Sequence, residues 1–281
     1  MFQRVFLSVC LALSFCILMP GPAAAELSAP VTALSDALRM QDVVAVLREE
    51  GMRNGAELAV DLPGGPDDPA WIALLDRLYD THTMRTAFDT AFAKALGDDP
   101  TMTALATAFF NSDIGQRAMK LEIDARRAML DSDIEAAAMQ AYQNLTKENP
   151  ARVALLEQFV TVNDLIESNV MGSLNSNLAF YRGLAAAGDE QFAMSESDML
   201  NSVWAEEAKA REETVKWLFP FLALAYQPLS DADLQAYIDF SQTMAGRRVN
   251  AAMFVAFDAV FDDISQELGR AVARQMEGQD I

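Results

Sequence analysis

Cysteine and histidine are almost absent from this 281-residue chain. The two cysteines, Cys10 and Cys16, lie close to the N-terminus, and His82 is the single histidine. One histidine excludes zinc motifs that need a histidine pair and leaves only one candidate for a histidine base. His82 stands in a helical segment whose neighbours do not demand such a role, so we interpret it as an ordinary surface or packed residue.

The familiar motifs of catalysis and nucleotide binding are also missing. No serine stands in a Gly-x-Ser-x-Gly elbow, and neither a glycine-rich phosphate loop nor an EF-hand calcium loop occurs. The sequence therefore predicts no catalytic residue, no metal site and no cofactor.

Positive charge is scarce, since 21 Lys and Arg residues face 41 Asp and Glu residues and give a net charge of −20. Nucleic acids are bound through Lys and Arg, so we predict no nucleic-acid partner. Acidic pairs precede several predicted helices, at Asp67-Asp68, at Asp98-Asp99 and at Asp231 with Asp233. Carboxylates at a helix start cap free amides, so we interpret these pairs as caps rather than acid–base or calcium-binding groups.

An apolar run long enough to span a membrane is absent from the N-terminus. After Arg4, the run from Val5 to Met19 has 15 residues, fewer than the ~20 that a transmembrane helix needs. Pro20-Gly21-Pro22 and then Ala23-Ala24-Ala25 complete the pattern of a secretory signal peptide. We predict a signal peptide over 1–25 with cleavage after Ala25; a retained membrane anchor is the alternative.

Cleavage would remove both cysteines and leave 256 residues with a net charge of −21. The mature protein is expected in the periplasm or outside the cell, without stable membrane insertion. It would have no disulfide, and a chain of this size buries enough surface to fold on its core alone.

Helical periodicity runs along nearly the whole remaining chain, without the sustained alternation typical of strands. Asp68, Asp99 and Asn149 each precede a proline, and Ser195 and Ser230 each precede an aspartate by three residues, which are signals of helix starts. We predict an all-α protein with helices over 30–50, 69–96, 100–112, 115–130, 132–147, 150–171, 173–187, 196–226, 231–243 and 246–268.

Glycine and proline set the expected interruptions. Gly51, Gly97 and Gly188 are predicted to end helices, and Pro220 is predicted to kink or split the helix that contains it. Surface loops are predicted over 61–68 and 188–194.

A nine-residue pattern occurs twice in the chain. Residues 109–117 read Phe-Phe-Asn-Ser-Asp-Ile-Gly-Gln-Arg, and residues 240–248 read Phe-Ser-Gln-Thr-Met-Ala-Gly-Arg-Arg. In each copy a capped amphipathic helix precedes the pattern and a further helix follows it. A repeat at a fixed offset indicates duplicated units. We predict two related αα-hairpin units, over 26–148 and 149–281, that form a multi-helix bundle.

The shared residues fit the corner of an αα-hairpin. We expect the phenylalanine ring to be buried and the glycine to allow a tight turn or a close helix approach. The arginine is expected to reach carboxylates on a neighbouring helix. We therefore predict a structural role for these residues, with Gly246→Val lowering stability through lost backbone freedom. They are Phe109, Gly115 and Arg117 in the first copy, and Phe240, Gly246, Arg247 and Arg248 in the second.

The second copy resembles the family catalogued as domain of unknown function 2059, which occurs in bacterial exported proteins. The family pattern is an acidic-capped helix, Phe, a short polar stretch, Gly and a basic residue, and Phe240, Gly246 and Arg247 match it. The resemblance is clearest over 229–268, with a diverged copy near 100–130. It implies an exported helical domain without an established activity, and it supplies no catalytic residue.

Other side chains have plain interpretations. Glu122 and Arg126 are spaced as a simple i,i+4 ion pair on a helix surface. The frequent methionines are predicted to be core residues, and Trp71, Trp204 and Trp217 to be helix-packing anchors.

These observations favour a non-enzymatic binding or interaction protein. The expected partner is another periplasmic protein or peptide, and the expected site is the groove between the two units. The alternative is a carboxylate-dependent cell-envelope hydrolase, which needs two acids roughly 5–10 Å apart in a cleft, one with a raised pKa. A purely structural role is the third hypothesis, and the sequence does not separate it from the first.

Overall fold

The computed structural model describes residues 28–186, 193–276 and 278, and every regular element in these ranges is helical. The predicted all-α class is confirmed. The predicted signal peptide, its cleavage site and Gly188 lie outside the described residues. The first half contains α1 (Ala29–Ala37), α2 (Met40–Leu58), a short 3-10 turn (Ala59–Asp61), α3 (Pro69–Leu78), α4 (Thr81–Leu96), α5 (Pro100–Phe110) and α6 (Asp113–Ala128).

The helix α7 (Ser132–Glu148) follows and leads to the second half. The second half contains α8 (Pro150–Val162), α9 (Leu165–Ala186), α10 (Glu196–Ala205), α11 (Glu207–Tyr226), α12 (Asp231–Ser241) and α13 (Met244–Met276). None of the helices in the described part of the chain has the length and apolar character needed to cross a membrane.

Side chains start many of these helices as the sequence predicts. The carboxyls of Asp68 and Asp99 accept hydrogen bonds from the amides of Ala70 and Met102, each at 3.0 Å. Asn149, Ser195 and Ser230 accept amide hydrogen bonds in the same way at the starts of α8, α10 and α12. Each cap satisfies an amide that has no partner within the helix.

Several predicted helix boundaries are wrong because the backbone turns where apolar periodicity continues. The helix predicted over 30–50 is broken at Arg39, and α9 begins after Asp164 rather than near Gly172. Arg39 and Asp164 have φ angles of 54° and 51°, in the left-handed region that stops a helix. The helix predicted over 69–96 is broken at Asp80, whose carboxyl caps α4 at the Thr83 amide, 2.8 Å away.

The helix predicted over 196–226 divides at Glu206. Of the two outcomes predicted for Pro220, the split is wrong, because α11 continues from Glu207 to Tyr226, and the kink stays a prediction. Gly51 lies within α2 rather than at its end, and a Cβ there would come within 2.1 Å of the Tyr79 ring. Gly97 does end α4, with a φ of 69°.

The order of packing is the same in the two halves of the molecule. In the first half α1 packs on α5 and α2 on α4, and in the second half α8 packs on α12 and α9 on α11. The two halves also contact each other, since α6 packs on α11 and α13 packs on α4. One hydrophobic core therefore runs through both halves. The predicted division into duplicated units at residue 148 stays a prediction.

Candidate functional site

The two copies of the repeated motif meet face to face. The rings of Phe109 and Phe240 stack with centroids 3.8 Å apart and planes 1° from parallel. Each phenylalanine stands near the end of a helix, α5 or α12, as the motif predicts.

The two motif glycines have matching environments. A Cβ on Gly115 would lie 2.3 Å from the carbonyl oxygen of Phe109, and one on Gly246 would lie 2.2 Å from that of Phe240. The amides of Gly115 and Gly246 donate to the hydroxyls of Ser112 and Thr243, at 3.2 and 3.0 Å. Of the two predicted roles, the glycines thus serve close approach, and neither has a positive φ.

The motif arginines reach across to the opposite half. Arg117 donates to the Asp233 carboxylate at the start of α12, and Arg248 donates to that of Asp99 at the start of α5, both at 3.3 Å. The expectation that these arginines reach carboxylates on a neighbouring helix is confirmed. Arg247 instead donates to the carbonyl of Gln242, 3.0 Å away. In their contacts the motif residues hold the two halves together.

A cavity of about 440 Å³ lies beside this junction, between helices of both halves. Its walls are mostly apolar and rich in aromatic rings, which suits a small apolar molecule. The first half contributes Leu38, Val43, Val46, Leu47, Phe110, Met119, Glu122, Ile123 and Arg126. The second half contributes, among others, Phe159, Trp217, Phe221, Tyr226, Tyr237, Met253, Phe254, Phe257, Asp258 and Phe261.

Glu122 places a carboxyl group in this wall. The Tyr226 hydroxyl donates to Glu122 Oε1 at 2.8 Å, and the Tyr237 hydroxyl is the second polar group that acts on the pKa of this carboxyl. Burial raises the pKa of Glu122 to about 7, and the two tyrosines oppose this shift only in part. Burial raises the pKa values of both tyrosines as well, so their hydroxyls stay protonated as donors.

The predicted surface pair between Glu122 and Arg126 is wrong. Arg126 donates two hydrogen bonds to the carboxylate of Glu50 on α2, at 2.7 and 2.8 Å. Arg127 binds Glu49 in a similar way. Because the guanidinium of Arg126 pairs with Glu50, it does not neutralise Glu122, whose carboxyl lies beside the tyrosines in the cavity wall.

A second polar region lines the cavity along α9 and α13. Asn169 and Ser173 are exposed on α9, and Asp258 is half-buried on α13. Burial raises the pKa of Asp258, while a hydrogen bond with Asn175 lowers it. Because Asn169 and Ser173 contact solvent as well as the cavity, they mark its accessible side.

Comparisons with family models, with curated proteins and with solved structures found no match to this chain. The resemblance of residues 229–268 to the domain of unknown function 2059 family therefore stays a prediction.

Some simpler expectations have mixed outcomes. His82 is exposed, in agreement with the prediction. Trp71 is fully buried and its Nε1 donates to the Gly55 carbonyl at 2.9 Å, but Trp204 is 56% exposed, so its predicted packing role is wrong. Methionines also divide, since Met119 is buried and Met244 is 73% exposed.

A signal for the site was present in the sequence of α6. Gly115, Ala118, Met119 and Ala125 are buried and recur at helical spacing. Glu122 falls on this same face, three residues after Met119 and three before Ala125. A carboxylate on the apolar face of an amphipathic helix is costly unless it is bonded, so its position indicated a buried role.

Proposed function

We propose that this protein is a non-enzymatic periplasmic binding protein that holds an apolar or amphiphilic small molecule in the cavity between its halves. The observation that carries the proposal is the cavity of about 440 Å³ with largely aromatic walls and the carboxyl of Glu122 in them. Small-molecule sites typically combine such a volume with apolar walls and a few polar groups that orient the ligand.

A neutral apolar fluorophore such as N-phenyl-1-naphthylamine provides the first test. We expect saturable binding with one site per chain. Ser176 lines the cavity on α9, so Ser176→Phe should fill part of it and weaken binding by about tenfold or more.

Asn177 supplies a matched control, because it is the next residue on α9, is exposed and does not line the cavity. Asn177→Phe should bind the fluorophore as the wild type does. Equal binding by the two variants would show that the fluorophore sits elsewhere and would contradict the proposal.

The alternative of a carboxylate-dependent hydrolase is favoured by one observation, the pKa of Glu122 near 7. A retaining or inverting glycosidase also needs a second carboxylate facing the first across a cleft. The groups that act on the Glu122 carboxyl in the described structure are Tyr226 and Tyr237, with no acidic residue among them. Turnover of a cell-wall glycan that disappears in Glu122→Gln would favour the hydrolase over the binding protein.

A further inference from the structure

The charges along the cavity wall are biased toward the acidic sign. Glu122 and Asp258 carry carboxyl groups, and Arg126 is the basic residue among the residues that line the cavity. The guanidinium of Arg126 is already bonded at two positions to Glu50. The carboxylates of the wall would therefore repel an anionic head group. The net charge of −20 on the whole chain disfavours an anion as well.

Aromatic rings gather around the Glu122 carboxyl. Phe159 packs against Tyr226 and Tyr237 with ring centroids 5.2 and 5.0 Å apart, and Phe110 lies 6.3 Å from Tyr237. Ring faces attract cations, most strongly where water is excluded. A carboxylate among aromatic rings is a chemical setting that favours an ammonium group.

The cavity extends along α13. Its lining residues on this helix run from Gly246 to Phe261, a rise of about 22 Å. The tyrosines beside Glu122 lie toward the Gly246 end, because the Tyr237 ring lies 5.5 Å from Phe109, which stacks on Phe240 next to Gly246. Met253, Phe254 and Phe257 line the stretch beyond and offer an apolar wall for a chain.

We propose that the cavity binds an amphiphile with a cationic amine head and an alkyl or aryl tail, and that Glu122 is the counter-charge for the amine. This proposal rests on the proposed function. Glu122 would accept hydrogen bonds from the ammonium group in addition to the one from Tyr226, and the tail would lie along α13.

Three ligands with one tail and different heads separate the possibilities. Decylamine, decanol and decanoate, each below its micelle concentration, compete with the neutral fluorophore near pH 8. An alkylamine has a pKa of about 10 and stays protonated there, while Glu122 is ionised. We expect decylammonium to compete at least about tenfold better than the other two. Equal competition by decanol, or the best competition by decanoate, would overturn the head-group assignment.

Charge-neutral variants test the role of Glu122. Glu122→Gln should weaken the binding of decylammonium by about tenfold and should change the binding of decanol little. Asp124→Asn on the same helix is the control, because Asp124 is exposed and bonds Lys120. If Asp258→Asn removes the preference for decylammonium and Glu122→Gln keeps it, then Asp258 is the counter-charge and the assignment to Glu122 is wrong.

A measurement on the wild type makes the test independent of how the variants fold. The affinity for decylammonium should rise with pH through about 7, where Glu122 ionises, and the affinity for decanol should not. The groups that act on the Glu122 carboxyl are the tyrosines at positions 226 and 237, which stay protonated through this pH range. A flat profile for decylammonium would overturn the proposal. Failure of the fluorophore itself to bind would instead overturn the proposed function.

Discussion

Glu122 and Arg126 stand four residues apart on α6, yet their side chains bond in different directions. Arg126 forms its ion pair with Glu50 on α2, whereas Glu122 accepts from Tyr226 on α11. Spacing along a helix limits which side chains can contact each other, and packing against the neighbouring helices determines which contacts form. The consequence at this scale is a carboxyl that titrates near neutral pH.

The titration of Glu122 should make the free energy of unfolding depend on pH. Its pKa is about 7 in the folded protein against an ordinary value of 4.5. The folded state thus holds the proton more tightly, so the stabilisation is fully present below the ordinary pKa and is lost as the pH rises through about 7. Relative to Glu122→Gln, the wild type should lose up to about 3 kcal/mol of unfolding free energy over this interval.

Urea denaturation at several pH values measures this difference. Asp124→Asn makes the same charge change at an exposed position and should parallel the wild type. Parallel pH profiles for the wild type and Glu122→Gln would contradict a raised pKa.

The motif glycines provide a second residue-scale prediction. Ala usually stabilises a helix by ~1 kcal/mol relative to Gly. At Gly115 and Gly246 the added Cβ would collide with a backbone carbonyl, so Gly115→Ala and Gly246→Ala should destabilise by about 1–3 kcal/mol. The cause is the close approach of two helices rather than the lost backbone freedom expected from the sequence.

Gly172 is the control for these substitutions. It also lies within a helix, but a Cβ there would meet a side-chain oxygen of Asp258, which can move. Gly172→Ala should therefore be near neutral in thermal melting. An increase in melting temperature for Gly246→Ala would refute the close-approach explanation.

At the scale of elements, the long helices α9 and α13 contact each other at a pair of glycines, Gly183 and Gly269. A Cβ on Gly183 of α9 would lie 2.1 Å from the Gln266 carbonyl, and one on Gly269 of α13 would lie 2.2 Å from the Phe180 carbonyl. The absence of side chains lets the backbones approach closely. This crossing fixes the spacing of α9 and α13 beyond the cavity that both helices line.

Gly183→Ala and Gly269→Ala should each destabilise the protein, by about 1–3 kcal/mol. The double variant should cost less than the sum, because the first methyl group already separates the helices and relieves the second contact. Denaturant midpoints measure this coupling. The pair Gly183→Ala and Gly115→Ala, on different helix contacts, should instead be additive, and additivity in both pairs would contradict the shared crossing.

At the scale of the whole molecule, the two halves complete each other. Phe109 of the first half stacks on Phe240 of the second, and Arg117 and Arg248 each bind a helix start in the opposite half. The hydrophobic core is continuous through both halves. Neither half buries its apolar surfaces without the other.

We therefore expect the chain from residue 26 onward to unfold in one cooperative transition, with equal calorimetric and van't Hoff enthalpies. The fragments 26–148 and 149–281 should not fold alone, because each would expose the surface that the other half covers. Circular dichroism and calorimetry measure both expectations. Two separate transitions, or a fragment that melts cooperatively, would contradict a shared core.

The sequence by itself determined the helical class, the capped helix starts at Asp68, Asp99, Asn149, Ser195 and Ser230, and the two matching corners at Phe109 and Phe240. These features depend on local periodicity and on backbone amides that a nearby side chain satisfies, so they can be read along the chain. The reversals at Arg39 and Asp164 interrupt apolar periodicity without a glycine or proline, and no local rule marks them.

Only the tertiary structure decided the partners of Glu122 and the cavity that it faces. Tyr226 lies 104 residues from Glu122 along the chain, and Glu50 lies 76 residues from Arg126. Contacts at such separations arise from helix packing, which sequence spacing on one helix cannot specify. The pKa of Glu122 near 7 follows from burial among these distant residues, because a carboxyl on an isolated α6 would be solvated and titrate normally.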